Sequence, residues 1–182
     1  MKGIVFTEFF DMVDDKMSPE MAEQIIDDVN VESGCAYTAI GTYDYSEMVD
    51  LVGALSQRSG VSIPDLQKTY GHHLFSVFVD KYPTMFREGD TAFDVLERVD
   101  DTIHREVHKL YPDAELPKFV PTRNDDVSLK LDYTSSRPFA DLAEGLIKGC
   151  IDHFGEDIII HREDISPPPQ THTLFTLERV RD

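Results

Sequence analysis

The chain has no tryptophan, two cysteines and no apolar run long enough to span a bilayer. Cys35 and Cys150 are too few for a disulfide framework and stand in no zinc-binding pattern, so they read as small apolar residues. Basic residues are also scarce, 17 Lys and Arg against 35 Asp and Glu, which leaves a formal net charge of -18. A surface of that sign repels phosphates and argues against nucleic acid or an anionic membrane as partner. It suits a solvated acidic exterior, or an acidic face that meets a basic protein. Residues 1–10 lack a basic stretch followed by a long apolar core, so no signal peptide is expected and a cytoplasmic location is. P-loop, nucleophile-elbow and dinucleotide fingerprints are missing too, which leaves no hydrolytic or transfer chemistry in view.

What is there fits one domain, residues 1–182, with 41% apolar and 29% charged residues, enough to bury a core. The first two-thirds has helical periodicity. Apolar residues recur at that spacing from Ile4 to Val13, and Ser18-Pro19 opens a second stripe through Met21, Ile25, Ile26 and Val29. Tyr45 to Gln57 and Ile63 to Tyr82 read as two further helices, and Thr91 to Tyr111 as one helix bearing His104. The grammar then changes to alternation over Lys118–Thr122 and Val127–Tyr133, a hairpin with its turn at 122–126. Pro138 to Phe154 returns to helical spacing. Asp157–His161 and Thr171–Val180 read as two more strands, separated by Ser166-Pro167-Pro168-Pro169. The expected class is α+β, a mostly helical N-terminal part followed by a four-stranded antiparallel sheet with one helix.

Two features carry chemistry. Tyr133-Thr134-Ser135-Ser136-Arg137 puts a phenol, a hydroxyl and a guanidinium on alternate positions, so an extended run sends all three to one face. A planar fork of N–H donors beside two hydroxyls suits a ligand bearing carboxylates. The same run can also be a strand end with a surface Arg. His104 offers a neutral imidazole on an amphipathic helix. It is one of seven histidines, and chemistry alone does not choose among them. His104 and His108 share a helical face and can pair on zinc, but the H-E-x-x-H pattern fails because position 105 is Arg.

Taken together, Tyr133-x-Ser135-x-Arg137, the preceding His104 and the Met1-Lys2-Gly3-Ile4 start resemble the haem–nitric oxide/oxygen-binding (H-NOX) domains, relatives of the haem domain of soluble guanylate cyclase. Tyr111-Pro112, Leu116-Pro117, Gly71 and Glu144-Gly145-Leu146 extend the resemblance over essentially the whole chain. The resemblance implies a b-type haem with His104 as iron ligand, thirteen residues before Pro117, which packs on the porphyrin. It assigns the haem carboxylates to Tyr133, Ser135 and Arg137, and the gas-binding wall to Val5, Phe9, Leu74, Phe78, Leu142 and Leu146.

In the oxygen-binding branch of the family, a tyrosine nine residues after the clamp tyrosine donates a hydrogen bond to bound oxygen. That position is Leu142 here, and none of the six wall positions carries a side-chain donor. The expected function is therefore a nitric oxide sensor that also binds carbon monoxide and discriminates against oxygen. By resemblance, nitric oxide releases His104 and the signal passes to a histidine kinase or a cyclic-di-GMP enzyme. The alternatives are a haem-based oxygen or redox sensor, a haem-free adaptor that binds a carboxylate ligand through Arg137, and a zinc enzyme built on His104 and His108. His161, Asp164 and His172 form a candidate second metal site without cysteine.

Overall fold

The computed structural model describes residues 1–123, 125–166 and 170–180. Four helices come first: α1 (Ile4–Lys16), α2 (Pro19–Asp28), α3 (Tyr45–Ser59) and α4 (Ile63–Lys81). Their starts are chemically marked. Ser18 accepts the Met21 N–H with Pro19 in the first turn, Asp44 accepts from Ser46, and Ser62 accepts from Asp65. Phe6, Phe9, Met12 and Val13 of α1 meet Ile25, Met48, Leu51, Leu55, Tyr70 and Leu74 in a first buried cluster. Gly3 opens α1 against the 38–43 loop, where a Cβ would sit 1.8 Å from the Thr38 carbonyl, so no larger residue fits.

A second cluster lies against the sheet. Helix α7 (Ala140–Phe154) buries Ala143, Ile147, Cys150 and Ile151 against Leu129, Leu131, Phe175 and Leu177 of the strands. The strands are β1 (Lys118–Arg123), β2 (Ser128–Ser135), β3 (Ile158–Ser166) and β4 (Thr171–Arg179), arranged β1-β2-β4-β3 and antiparallel throughout. Tyr133 is opposite Phe119 on one side and Thr173 on the other. Leu146 of α7 packs against both clusters.

The α+β class and the four-stranded antiparallel sheet stand as expected. Two boundaries differ. The helix expected over 91–111 is interrupted: α5 (Ala92–Glu97) gives way to a π-helical turn, Val99–His104, and then to α6 (Arg105–Leu110). Arg98 leaves helical geometry at φ -95°, ψ 4°, and its guanidinium is held by Asp90, outside the helix. The Ile103 N–H then reaches back five residues to the Arg98 carbonyl, 3.2 Å away. One extra residue in a turn barely disturbs apolar spacing over twenty, so periodicity does not reveal it. Strand β3 also runs past His161 to Ser166, because the charged residues beyond it still pair along β4. Asn124 of the expected turn, and Pro167 to Pro169 of the expected break, lie outside the described residues.

Candidate functional site

A cavity of about 700 Å³ lies where the two clusters face each other. Ile4 and Val5 of α1, Leu74, Phe75 and Phe78 of α4, and Leu142 and Leu146 of α7 line it from one set of helices. Val99, Ile103, His104 and Val107 line it from the interrupted helix, and Phe119 and Tyr133 from the sheet. The loop 111–117, which joins α6 to β1, closes the margin with Ala114, Glu115, Leu116 and Pro117.

His104 is the last residue of the π-helical turn, and its side chain is 17% exposed. Its Nδ1 lies 2.7 Å from Asp100 Oδ1. Burial pushes the imidazole pKa down from 6.5, and the Asp100 carboxylate opposes that shift without cancelling it. Asp100 can only accept, so a neutral ring places its proton on Nδ1 and keeps a lone pair on Nε2. Among the described residues Nε2 has no hydrogen-bond partner. The ring leans on Phe119, 6.1 Å between centroids. His108, one turn on, is exposed.

The Tyr-Ser-Arg run is built as the sequence suggests up to Ser135. Tyr133 and Ser135 are alternate residues of β2 and both line the cavity. Burial raises the Tyr133 phenol pKa, so it stays a neutral donor. Arg137 is placed differently: it lies in the turn beyond β2 and not on the extended strand. Its N–H donates to Ser135 Oγ (3.1 Å), and its carbonyl accepts from Thr171 Oγ1 (2.9 Å). The guanidinium lies over the Tyr45 ring, 5.4 Å from its centroid, and Nη2 is 2.5 Å from Glu115 Oε2.

Of the six wall residues expected, Val5, Leu74, Phe78, Leu142 and Leu146 line the cavity. Phe9 does not. It is fully buried in the first cluster, edge-on to Tyr70 at 5.4 Å and to Phe10 at 5.8 Å. One turn along α1 from Val5, it packs with Tyr70, whose hydroxyl donates to the Val5 carbonyl. The candidate second metal site does not form either. His161 pairs with Glu178 and His172 with Asp132, whereas Asp164 is held by Arg162 and accepts from the buried Thr173. No group of three His, Cys, Asp or Glu able to hold a metal occurs among the described residues.

Sequence reasoning missed several polar side chains, among them Asp100, Tyr82 and Glu115. Asp100 precedes His104 by four residues, a helical spacing that was there to be read. Tyr82 lines the cavity near Tyr111, and nothing in its local pattern marks it.

The donor set is thus one imidazole, on the wall of an apolar chamber whose margin carries a phenol, a hydroxyl and a guanidinium. That fits a flat apolar metal complex with carboxylates on one edge, and so fits haem. No helix among the described residues is long and apolar enough to cross a membrane.

Comparison with known proteins agrees. The model of the Haem-NO-binding family matches residues 2–162. The chain is similar to an unliganded Fe(II) H-NOX protein from K. algicida, at 41% identity and a TM-score of 0.93, over 100% of this chain and 98% of that one. It is similar to the IWP-051-bound H-NOX from Shewanella woodyi in its Fe(II)CO state, at 37% identity and a TM-score of 0.83, over 99% and 95%. The Fe(II)NO H-NOX protein of S. oneidensis aligns over 100% of both chains, at 26% identity and a TM-score of 0.88. No curated protein matches the chain. An imidazole set for a metal, an apolar chamber and a family match over most of the chain lead to one conclusion: this chain belongs to the H-NOX family of haem-binding gas-sensor domains.

Proposed function

We propose that the chain holds haem b and senses nitric oxide, also taking carbon monoxide and discriminating against oxygen. The observation that carries this reading is His104: Nδ1 is committed to Asp100, which leaves Nε2 as a metal ligand on the wall of an apolar cavity. Tyr133, Ser135 and Arg137 take the haem carboxylates, and Pro117 packs on the ring. Ferrous haem supplies an open coordination position for a diatomic gas. Val5, Leu74, Phe78, Leu142 and Leu146 line the cavity and would offer no donor to stabilise bound oxygen, whereas nitric oxide binds ferrous iron without one.

In this reading the output is a change in the hold on His104. His104 would hold the iron, and loosening that hold would free the π-helical turn and α6 to shift against a partner such as a histidine kinase or a cyclic-di-GMP enzyme in the cytoplasm. The chain does no catalysis of its own. The H-NOX proteins solved with Fe(II)NO and Fe(II)CO support the choice of gases.

The test is the visible absorption of the reduced, haem-loaded protein. The expected result is a Soret band that moves with nitric oxide and with carbon monoxide and does not change on exposure to air. A stable oxygen complex rejects the selectivity. A colourless protein that takes up no haem, or a His104→Gly variant with unchanged coordination, rejects the site.

A further inference from the structure

The loop 111–117 is fixed at two points of different character. Asp113 accepts from Lys2 Nζ at 3.3 Å and from Thr42 Oγ1 at 3.0 Å, and Lys2 also lies over the Tyr111 ring, 4.7 Å from its centroid. Two residues later, Glu115 puts Oε2 2.5 Å from Arg137 Nη2. The two ends of this second pair are unequal. The Glu115 side chain is 76% exposed and that of Arg137 12% exposed. Arg137 is kept in place by the Tyr45 ring and, through its backbone, by Ser135 and Thr171. The carboxylate can swing into water while the guanidinium stays.

Arg137 is also the cation assigned above to a carboxylate of the ligand, and this inference rests on that reading. We propose that Glu115 competes with the ligand carboxylate for Arg137, and so sets how fast this chain takes up and gives up a dicarboxylate ligand. Glu115 occupies Nη2, which belongs to a bidentate edge of the guanidinium, so an incoming acid that uses that edge must displace Glu115 or bind through fewer donors. Asp44, Asp113 and Glu115 share this margin with Met1, Lys2 and Arg137, so removing the Glu115 charge would tilt a mixed field toward an anion. An exposed ion pair is weak, which makes Glu115 a displaceable competitor and not a lock. Because Asp113 stays tied to Lys2 and Thr42, Glu115 can withdraw without the loop leaving its seat.

The experiment compares the wild-type chain with Glu115→Gln and Glu115→Lys, using haemin and haemin dimethyl ester as probes. Uptake is followed by stopped flow, and loss by transfer to excess apomyoglobin. With haemin, Glu115→Gln should bind about threefold more tightly, within the range of an exposed ion pair, and Glu115→Lys more tightly still. The gap should narrow in high salt. The ester has no carboxylates, so it should bind all three proteins alike. Weaker haemin binding by Glu115→Gln would overturn the proposal and make Glu115 a support for Arg137. An equal gain for haemin and its ester would also overturn it, since the effect would not then pass through a carboxylate. A wild-type chain that binds neither probe would overturn the haem reading itself, and this proposal with it.

Discussion

The imidazole Nδ1 of His104 stands 2.7 Å from the carboxylate of Asp100, four residues earlier across a π-helical turn. The pair fixes the ring's tautomer and its orientation together. A negatively charged acceptor also makes the other nitrogen a stronger donor to a metal. Replacing Asp100 with Asn keeps a polar group and removes the charge, and replacing it with Ala removes both. The iron–histidine stretching frequency of the ferrous protein should fall in Asp100→Asn. Haem should be held about tenfold less tightly in Asp100→Ala, the low end of what such outer partners contribute. Unchanged vibration and retention in both variants would show that the carboxylate does nothing for the ligand.

Leu142 is buried on the cavity wall and has no donor to offer. A Leu142→Tyr substitution brings a phenol to that wall. One added hydrogen bond of about 1 kcal/mol corresponds to roughly fivefold higher oxygen affinity. Spectra of the ferrous variant under graded oxygen read this directly, with nitric oxide binding as the internal reference. Equal oxygen affinity in the two proteins would count against wall polarity as the selectivity device.

Helices α4 and α7 cross in backbone contact. A Cβ at Gly145 would lie 2.2 Å from the Lys68 carbonyl, so Gly145→Ala must push the two helices apart. A loss of about 1–3 kcal/mol is expected, as for other overpacked contacts, with a lower thermal midpoint. The loss should be the same with and without haem if it comes from the crossing itself.

Asp90 anchors Arg98 just where the helix changes register. The Arg98 hydrogen bonds hold its carboxyl pKa below the usual 3.8, despite an opposing contribution from burial. A depressed carboxylate pKa stabilises the fold above the unfolded value, and that contribution is lost as pH falls through the folded one. Asp90→Asn should therefore be less stable than wild type at neutral pH, and the gap should close only in acid below 3.8. Urea titrations over a pH series measure it, and a gap independent of pH would mean that the charge is not what matters.

The Tyr-x-Ser-x-Arg run is legible because it occurs once in this chain, whereas His104 stands out among seven histidines only through the resemblance to the H-NOX domains. Alternation correctly put Tyr133 and Ser135 together, but it could not say that Arg137 returns through a turn stapled by Ser135 and Thr171. Phe9 was misplaced for a related reason. Residues one turn apart share a face, yet Val5 lines the cavity while Phe9 packs edge-on to Tyr70 within the first cluster. The π-helical turn was hidden because hydrophobic spacing averages over turns, and the Asp90–Arg98 pair beside it is a contact between side chains eight residues apart.

Half-buried Leu146 packs against both clusters, while most of the buried apolar side chains belong to one or the other. Helices α4 and α7 each supply side chains to both clusters, with the chamber opening beside them, so the two halves of the core are fastened together by the same pair of helices. On the proposed reading, any strain that gas binding put on the chamber wall would be shared by both halves and not confined to one.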